Sequence, residues 1–187
     1  MYRAVTWHVV ASGISSKDSE AVLKLLGETR IVCGVYEGQS NILINGADPN
    51  PYLLSEEVNA NVSNIATIPE VRRQLVDLQR VYAVDFDNVM EGRDIGSAVF
   101  PETPYKFYID ASPEVRLMRR QRQGLQDSIS ARDRQDSSRR TSPLIIAEDA
   151  HVIDSSHLTI DGVVGEIIGR LKLKGLKILD CTSRIAA

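Results

Sequence analysis

Two glycines flank an adjacent pair of opposite charges at residues 92–96, where the sequence reads Gly-Arg-Asp-Ile-Gly. Residues 88–91 before them predict a short buried strand, so the motif would follow the carboxyl end of that strand. Ligands of open α/β sheets bind at that edge. Glycine lets the backbone approach a ligand closely, while Arg93 can hold an anion and Asp94 can accept a hydrogen bond. The alternative is a turn with a surface ion pair, which contributes little stability.

A second charged stretch, residues 132–140, mixes arginine with aspartate. If it is helical, Arg132 and Asp136 share a face with either Arg139 or Arg140, because residues four, seven and eight apart lie on one side. Guanidinium is planar, permanently charged and able to bind phosphate through two N–H groups. Such a group on a mobile segment suits a lid over a transferring phosphoryl group. The alternative is a solvated helix with internal ion pairs.

Alternating helices and strands would have to position these two stretches. Apolar periodicity and capping residues predict helices over 1–12, from Ser16 to Gly27, and onward from Ser55, Pro69, Ser112 and Thr159. β-type runs predict a hairpin of strands 31–36 and 42–45, and further strands at 88–91, 105–109 and 150–154. Strands separated by helices of this length indicate an α/β fold with a parallel sheet and a small hairpin insertion.

The composition is that of an ordinary globular domain, with 43% apolar and 25% charged residues among 187. The net charge of −3 argues against a nucleic-acid partner, although residues 114–140 carry +4 and the remainder −7. No apolar run reaches the roughly 18–20 residues of a membrane span. Cys33 and Cys181 stand in no metal-binding or redox spacing, so we expect reduced thiols and a cytoplasmic location.

Five ordered blocks of this sequence resemble the bacterial-type cytidylate kinases. They are Met1-Tyr2-Arg3-Ala4; Asn61-Val62-Ser63 leading to Pro69-Glu70-Val71-Arg72; Gly92-Arg93-Asp94-Ile95-Gly96 with Val99-Phe100-Pro101; Asp110-Ala111-Ser112; and Arg132-Asp133 with Asp136, Arg139 and Pro143-Leu144. The resemblance covers roughly residues 1–171, and the ordered set is far more specific than any single block.

The resemblance implies a P-loop nucleoside monophosphate kinase that uses Mg²⁺ to move the γ-phosphoryl group of ATP to CMP or dCMP. It implies a monomer of one domain over residues 1–187. Within that domain, about 27–85 would form the monophosphate-binding region with its hairpin insertion, about 121–143 a short lid, and 172–187 a tail.

The resemblance also implies roles for eight side chains. Cytosine would be contacted by Ser63, Arg72 and Asp94, the acceptor phosphate by Arg3 and Arg93, and the sugar and transferring phosphates by Arg132, Asp136 and Arg139. These roles are chemically sensible, because a carboxylate and a hydroxyl can read an exocyclic amine while an arginine reads ring acceptors. Two alternatives remain, since Ser63 could bond its own helix backbone and Arg72 could be a solvated helix residue.

One element of the family pattern is not found in these residues. The spacing G-x-x-x-x-G-K-[ST], whose amides and lysine cradle the donor phosphates, does not occur in the sequence. We therefore expect the first strand and P-loop to be absent, with the chain truncated at its N-terminus and inactive alone. The alternative is a non-catalytic CMP-binding module, or a fragment that a partner completes.

Overall fold

The computed structural model describes residues 1–36, 39–84, 87–122, 137–138 and 143–177. Six α-helices lie in this part of the chain: α1 (Tyr2–Ala11), α2 (Ser19–Gly27), α3 (Glu56–Ile65), α4 (Pro69–Tyr82), α5 (Pro113–Arg122) and α6 (Ile160–Leu173). The strands are β1 (Ile31–Tyr36), β2 (Gln39–Ile44), β3 (Phe107–Asp110) and β4 (His151–Asp154). The chain divides into two compact units, Met1–Phe100 with Asp127–Ile145 and Pro101–Gln126 with Ile146–Ala187.

The core of the first unit is built by the first four helices. Each helix carries apolar residues three or four positions apart, which places them on one face. The buried side chains that meet there are Val5, Val9, Val22, Leu26, Ile65, Ile68, Val71 and Leu75. This packing determines which faces of α3 and α4 remain for polar side chains.

Local capping signals set most helix starts. The Ser55 hydroxyl accepts a hydrogen bond from the Val58 amide at 3.3 Å, and Pro69 opens α4 as predicted. The predicted cap of α2 is wrong by two residues, because the carboxylate of Asp18 accepts from the Ala21 amide. Ser16 is instead buried, with its hydroxyl 2.5 Å from the Asn61 side-chain oxygen.

The predicted hairpin of the first unit is confirmed, with an earlier second strand. β1 pairs antiparallel with β2 from Ile31 opposite Ile44 to Tyr36 opposite Gln39. The second strand therefore begins at Gln39 rather than at residue 42. Asn45, the last residue of the predicted strand 42–45, has a φ of 51° and lies outside the ladder.

The predicted strand at 88–91 is wrong. These residues have no strand partner within the described structure, and the Val89 side chain is fully exposed. A short β-prone run forms a strand only where a neighbour pairs with it and an apolar surface covers it. Residues Ile95–Val99 that follow form a single π-helical turn, a geometry that is frequent at functional sites.

The second unit contains a two-stranded parallel sheet of β3 and β4, in register from Phe107 opposite His151 to Asp110 opposite Asp154. It confirms the predicted parallel pairing of these strands. Ser112 and Thr159 cap α5 and α6, accepting from the amides of Val115 at 3.3 Å and Gly162 at 3.1 Å. Among the helices described, none is both long enough and apolar enough to cross a membrane.

Candidate functional site

Arg72 and Asp94 form a buried ion pair in the first unit. Their side chains are only 3% and 7% exposed, and the Nη2 atom of Arg72 donates to the Oδ2 atom of Asp94. The Nη1 atom of Arg72 donates to the carbonyl of Ala66 at 3.0 Å. Burying two charges is costly unless they are paired and hydrogen-bonded, so this geometry holds both groups in fixed positions. The alternative of a solvated Arg72 is wrong.

The Nε atom of Arg72 is buried and has no hydrogen-bond partner in the described structure. A buried donor left unsatisfied costs about 1–3 kcal/mol. An acceptor on a bound ligand would satisfy it. The guanidinium thus pairs with a carboxylate on one side and keeps a donor available for a ligand.

Asp94 opens the π-helical turn, and its backbone holds that turn together. The carbonyl of Asp94 accepts from the amides of Ala98 at 2.9 Å and Val99 at 3.2 Å. A Cβ at Gly92 would lie 2.9 Å from the Cγ1 atom of Ile95, so a larger residue there would have to displace that side chain. Arg93, between Gly92 and Asp94, is half-buried. The glycine-flanked motif is therefore a compact turn that carries both charges.

Ser63 lies on the same side of α3 as Ala66, the residue that Arg72 contacts. It is buried, and Ala66, whose carbonyl accepts from Arg72, follows it by three residues on the same side of the helix. The predicted alternative, a bond from the Ser63 hydroxyl to its own helix backbone, does not occur in the part of the chain described here. The Ser63 hydroxyl is therefore free to meet a ligand beside Arg72.

Arg3 contacts the other end of the same face of α3. Its Nη1 atom donates to the Leu53 carbonyl and to the side-chain oxygen of Asn59, both at 2.7 Å. Asn59, Ser63 and Ala66 are spaced i, i+4 and i+7, which aligns them along one side of α3. Asn59, which Arg3 contacts, and Ala66, which Arg72 contacts, are therefore the two ends of a polar line about 10 Å long.

Of the eight predicted residues, the structure pairs Arg72 with Asp94. Arg93 precedes Asp94 in the same turn, Ser63 is buried on α3, and Arg3 contacts Asn59 of α3. Arg132, Asp136 and Arg139 lie outside the described residues. The sequence reasoning missed Asn59, Ala66 and the Tyr2 ring, whose centroid is 5.3 Å from the Arg72 guanidinium carbon. Helical spacing from Ser63 could have indicated Asn59, but no sequence signal identifies a backbone carbonyl as a partner.

Comparison with known proteins identifies the family of this chain. A family model described as cytidylate kinase matches residues 1–173. The chain is 37% identical to a cytidylate kinase of Streptomyces avermitilis over 172 residues, which cover 87% of this chain and 74% of that protein. It is 38% identical to the Limosilactobacillus fermentum cytidylate kinase, with 92% and 81% of the two chains covered. For Corynebacterium efficiens cytidylate kinase the identity is 39%, with 90% and 78% covered.

The matched residues include the whole polar line on α3 and the turn that carries Asp94. Identity at this level over most of both chains indicates a shared fold of the P-loop nucleoside monophosphate kinase type, and the helices and small sheets of the structure are consistent with it. The chain belongs to the cytidylate kinase family, and it is a phosphotransferase of the nucleoside monophosphate kinase class.

Proposed function

We propose that this chain binds CMP or dCMP along α3, with the base against Arg72 and Asp94 and the phosphate toward Arg3 and Arg93. The observation that carries this proposal is the polar line on α3, which Arg3 contacts at Asn59 and Arg72 contacts at Ala66, two positions about 10 Å apart along the helix. That length is comparable to a nucleoside monophosphate, whose phosphate and base lie at its two ends. An anion-binding arginine at one end and a base-reading pair at the other match this ligand.

The base end favours cytosine on hydrogen-bonding grounds. Cytosine presents an exocyclic amine beside a ring nitrogen and a carbonyl oxygen. The carboxylate of Asp94 can accept from the amine, while the unpaired Nε of Arg72 can donate to a ring acceptor. Uracil has a carbonyl where cytosine has the amine, so it would set an acceptor against Asp94. A site built to hydrogen-bond one group rejects a ligand that lacks it.

Ser63 would add a hydroxyl at the base end. A hydroxyl both donates and accepts, so it can share the reading of the amine with Asp94. Its burial beside the Ala66 carbonyl that holds Arg72 keeps water away from this contact. Hydrogen bonds in a dry environment are stronger than those in water, which supports discrimination at this end.

The phosphate end relies on two arginines. The contacts of Arg3 with Leu53 and Asn59 fix the orientation of a guanidinium that carries five N–H donors. Arg93 is placed by the compact turn next to Asp94. Arginine suits phosphate because its planar fork matches two phosphate oxygens. The two arginines would hold the acceptor phosphate for attack on the donor.

The proposal for the phosphate donor, ATP, rests on family membership and on the sequence. Kinases of this family use ATP with Mg²⁺, and Arg132, Asp136 and Arg139 would meet the sugar and the transferring phosphates as a lid closes. Among the described residues, no three His, Cys, Asp or Glu side chains converge to hold a metal. We therefore assign no described residue to Mg²⁺. Phosphoryl transfer depends on positioning and electrostatics, and the acceptor residues above contribute the positioning.

We further propose that the chain works as a monomer of one domain, in the cytoplasm and without a nucleic-acid partner. The overall charge of −3 supports the last point. The hairpin of β1 and β2 lies within residues 27–85, the region proposed to bind the monophosphate. Residues 121–143 would form the short lid and residues 172–187 the tail.

The test is calorimetric titration of the chain with CMP and with UMP, because acceptor binding can be measured without turnover. We expect CMP to bind and UMP to bind at least tenfold more weakly. Asp94→Asn should reverse this preference, because its amide can keep an oxygen toward Arg72 and donate its N–H to the uracil carbonyl.

The matched control is Asp77→Asn on α4, since Asp77 is exposed and has no hydrogen bond or ion pair in the described structure. That variant should keep the preference of the unaltered chain. Equal binding of CMP and UMP to the unaltered chain would overturn the assignment of the base end. A preference for CMP that persists in Asp94→Asn would remove Asp94 from the site.

A further inference from the structure

A second arginine of α4 contacts the turn that carries Asp94. The Nε atom of Arg80 donates to the Val99 carbonyl at 2.9 Å, and its Nη2 atom donates to the Ala98 carbonyl at 3.1 Å. These are the last two residues of the π-helical turn. Carbonyl groups at the end of a helical turn lack intrahelical partners, and Arg80 supplies partners for both.

The turn is therefore held to α4 at both ends. At its start, Asp94 pairs with Arg72; at its end, Ala98 and Val99 pair with Arg80. Arg72 and Arg80 are eight residues apart on one helix, a separation of about 12 Å. The backbone carbonyl of Asp94 accepts from the amides of Ala98 and Val99, so the two attachments share one hydrogen-bonded unit.

We propose that Arg80 is a positioning residue for base selection. By holding Ala98 and Val99 against α4, it sets the position of the turn and so the distance at which Asp94 meets the base. Arg80 itself does not contact the nucleotide in this scheme. The inference rests on the proposed function of Asp94 and adds a residue that the resemblance to the family did not indicate.

The geometry distinguishes this role from general stabilisation. The guanidinium reaches only backbone carbonyls of the turn, and the salt bridges of the described residues include none to Arg80. Its loss would free one end of the turn while the buried pair of Arg72 and Asp94 still holds the other. Base reading depends on hydrogen-bond geometry, so selectivity would suffer more than folding.

The experiment compares Arg80→Gln and Arg80→Lys with the control Arg73→Gln in the full chain. Arg73 lies on the same helix, is exposed, and has no hydrogen bond or ion pair in the described residues. Titration calorimetry gives the Kd for CMP and for UMP, and thermal unfolding gives Tm. For Arg80→Gln we expect CMP binding to weaken about tenfold, because a displaced Asp94 would lose about one hydrogen bond to the base. UMP binding should change little, so the selectivity ratio should fall.

Arg80→Lys should give an intermediate CMP-to-UMP selectivity ratio. Its ammonium group can donate to a carbonyl but cannot reproduce the planar pair of N–H donors of Arg80. An unchanged ratio in Arg80→Gln would overturn the inference, as would an equal loss of both nucleotides accompanied by a lower Tm. If Arg80→Gln does not fold, Arg80→Lys is compared with a second control, Arg73→Lys. A CMP-to-UMP selectivity ratio below that of Arg73→Lys supports the role of Arg80, and an equal ratio overturns it.

Asp94→Asn in the same series separates the two proposals. If Asp94→Asn alters the preference and Arg80→Gln does not, only the role of Arg80 fails. If Asp94→Asn leaves the preference of the unaltered chain intact, the proposed function of Asp94 fails first.

Discussion

The guanidinium carbon of Arg72 lies 5.3 Å from the centroid of the Tyr2 ring. The guanidinium is therefore held on three sides, by the ring, by the carboxylate of Asp94 and by the carbonyl of Ala66. A cation over an aromatic face is attracted by the ring quadrupole, and more strongly when water is excluded. The arginine that we propose to contact the base is thus fixed before any nucleotide binds, which limits the ordering cost of binding.

Replacing the Tyr2 ring should weaken CMP binding. In Tyr2→Leu the cation–π contact is lost, and we expect the Kd for CMP to rise about fivefold. Tyr2→Phe keeps the ring face and should bind CMP as the unaltered chain does. Titration calorimetry of the three proteins measures the difference. Equal weakening in both variants would show that the hydroxyl, rather than the ring, supports Arg72.

The buried pair should show strong energetic coupling. Arg72→Met or Asp94→Leu alone leaves one charge buried without its partner, which destabilises a protein by about 3–5 kcal/mol. The double variant buries no charge, so its free energy of unfolding should exceed the additive expectation by more than about 1 kcal/mol. Urea unfolding followed by circular dichroism provides the four values of the cycle.

The control for this cycle is the exposed pair of positions Arg73 and Asp77 on the same helix. Arg73→Met and Asp77→Leu should be additive within about 0.5 kcal/mol, because surface charges interact weakly. Additivity at Arg72 and Asp94 as well would mean that the two side chains do not share a dry environment, and the buried pair would be refuted.

Sequence reasoning predicted the parts of the fold that depend on local signals. The starts of α3 to α6 follow from a capping hydroxyl at Ser55, Ser112 and Thr159 and from the first-turn proline Pro69. The start of α2 failed because Ser16 and Asp18 are both good caps. The tertiary bond of Ser16 to Asn61 takes that hydroxyl away from the helix. A local sequence pattern cannot show which of two candidate capping residues is hydrogen-bonded to a residue distant in the sequence.

For the site, the sequence predicted candidate residues but not the contacts between them. Resemblance placed Arg72 and Asp94 at the same base, yet it did not show that they form an ion pair across 22 positions of sequence. The strand predicted before Asp94 failed for a related reason, since β-prone residues such as Val89 need a pairing neighbour. Arg80 binds the turn through backbone carbonyls. Because every residue has a backbone carbonyl, the residue types in the turn do not predict this contact.

The second unit should lose stability in acid through Lys106 and Asp149. The side chain of Lys106 is 5% exposed, and its Nζ atom donates to both carboxylate oxygens of Asp149 at 2.8 and 2.7 Å. The hydrogen bond from Lys106 lowers the pKa of Asp149 from its usual 3.8. This contribution is therefore present above about pH 4 and disappears as the pH falls through the lowered pKa.

Thermal unfolding between pH 7 and pH 2 measures this dependence. Asp149→Asn should lower Tm at pH 7 and should remove part of the fall in Tm below pH 4. Glu148→Gln is the control, because Glu148 is the exposed neighbour and forms no ion pair within the described residues. A pH profile of Asp149→Asn that runs parallel to that of the unaltered chain would contradict the assignment.

The tautomer of His8 follows from a chain of two hydrogen bonds in the first unit. The Thr29 hydroxyl donates to the Leu25 carbonyl at 2.7 Å, so its oxygen must accept from the Nε2 atom of His8, 3.0 Å away. We expect His8 as the Nε2–H tautomer, with burial lowering its pKa below 6.5. Because the folded state binds the proton less well, its contribution to stability is present above pH 6.5 and is lost as the pH falls through the lowered pKa.

Long-range ¹H–¹⁵N NMR of the His8 ring distinguishes the two tautomers. Thr29→Val removes the acceptor and should raise the fraction of the Nδ1–H tautomer, whereas Thr29→Ser keeps the hydroxyl and should preserve the Nε2–H form. A predominantly Nδ1–H ring in the unaltered chain would reverse the direction of the His8–Thr29 bond. The hydroxyl of Thr29 would then have to donate to His8, which is incompatible with its bond to Leu25.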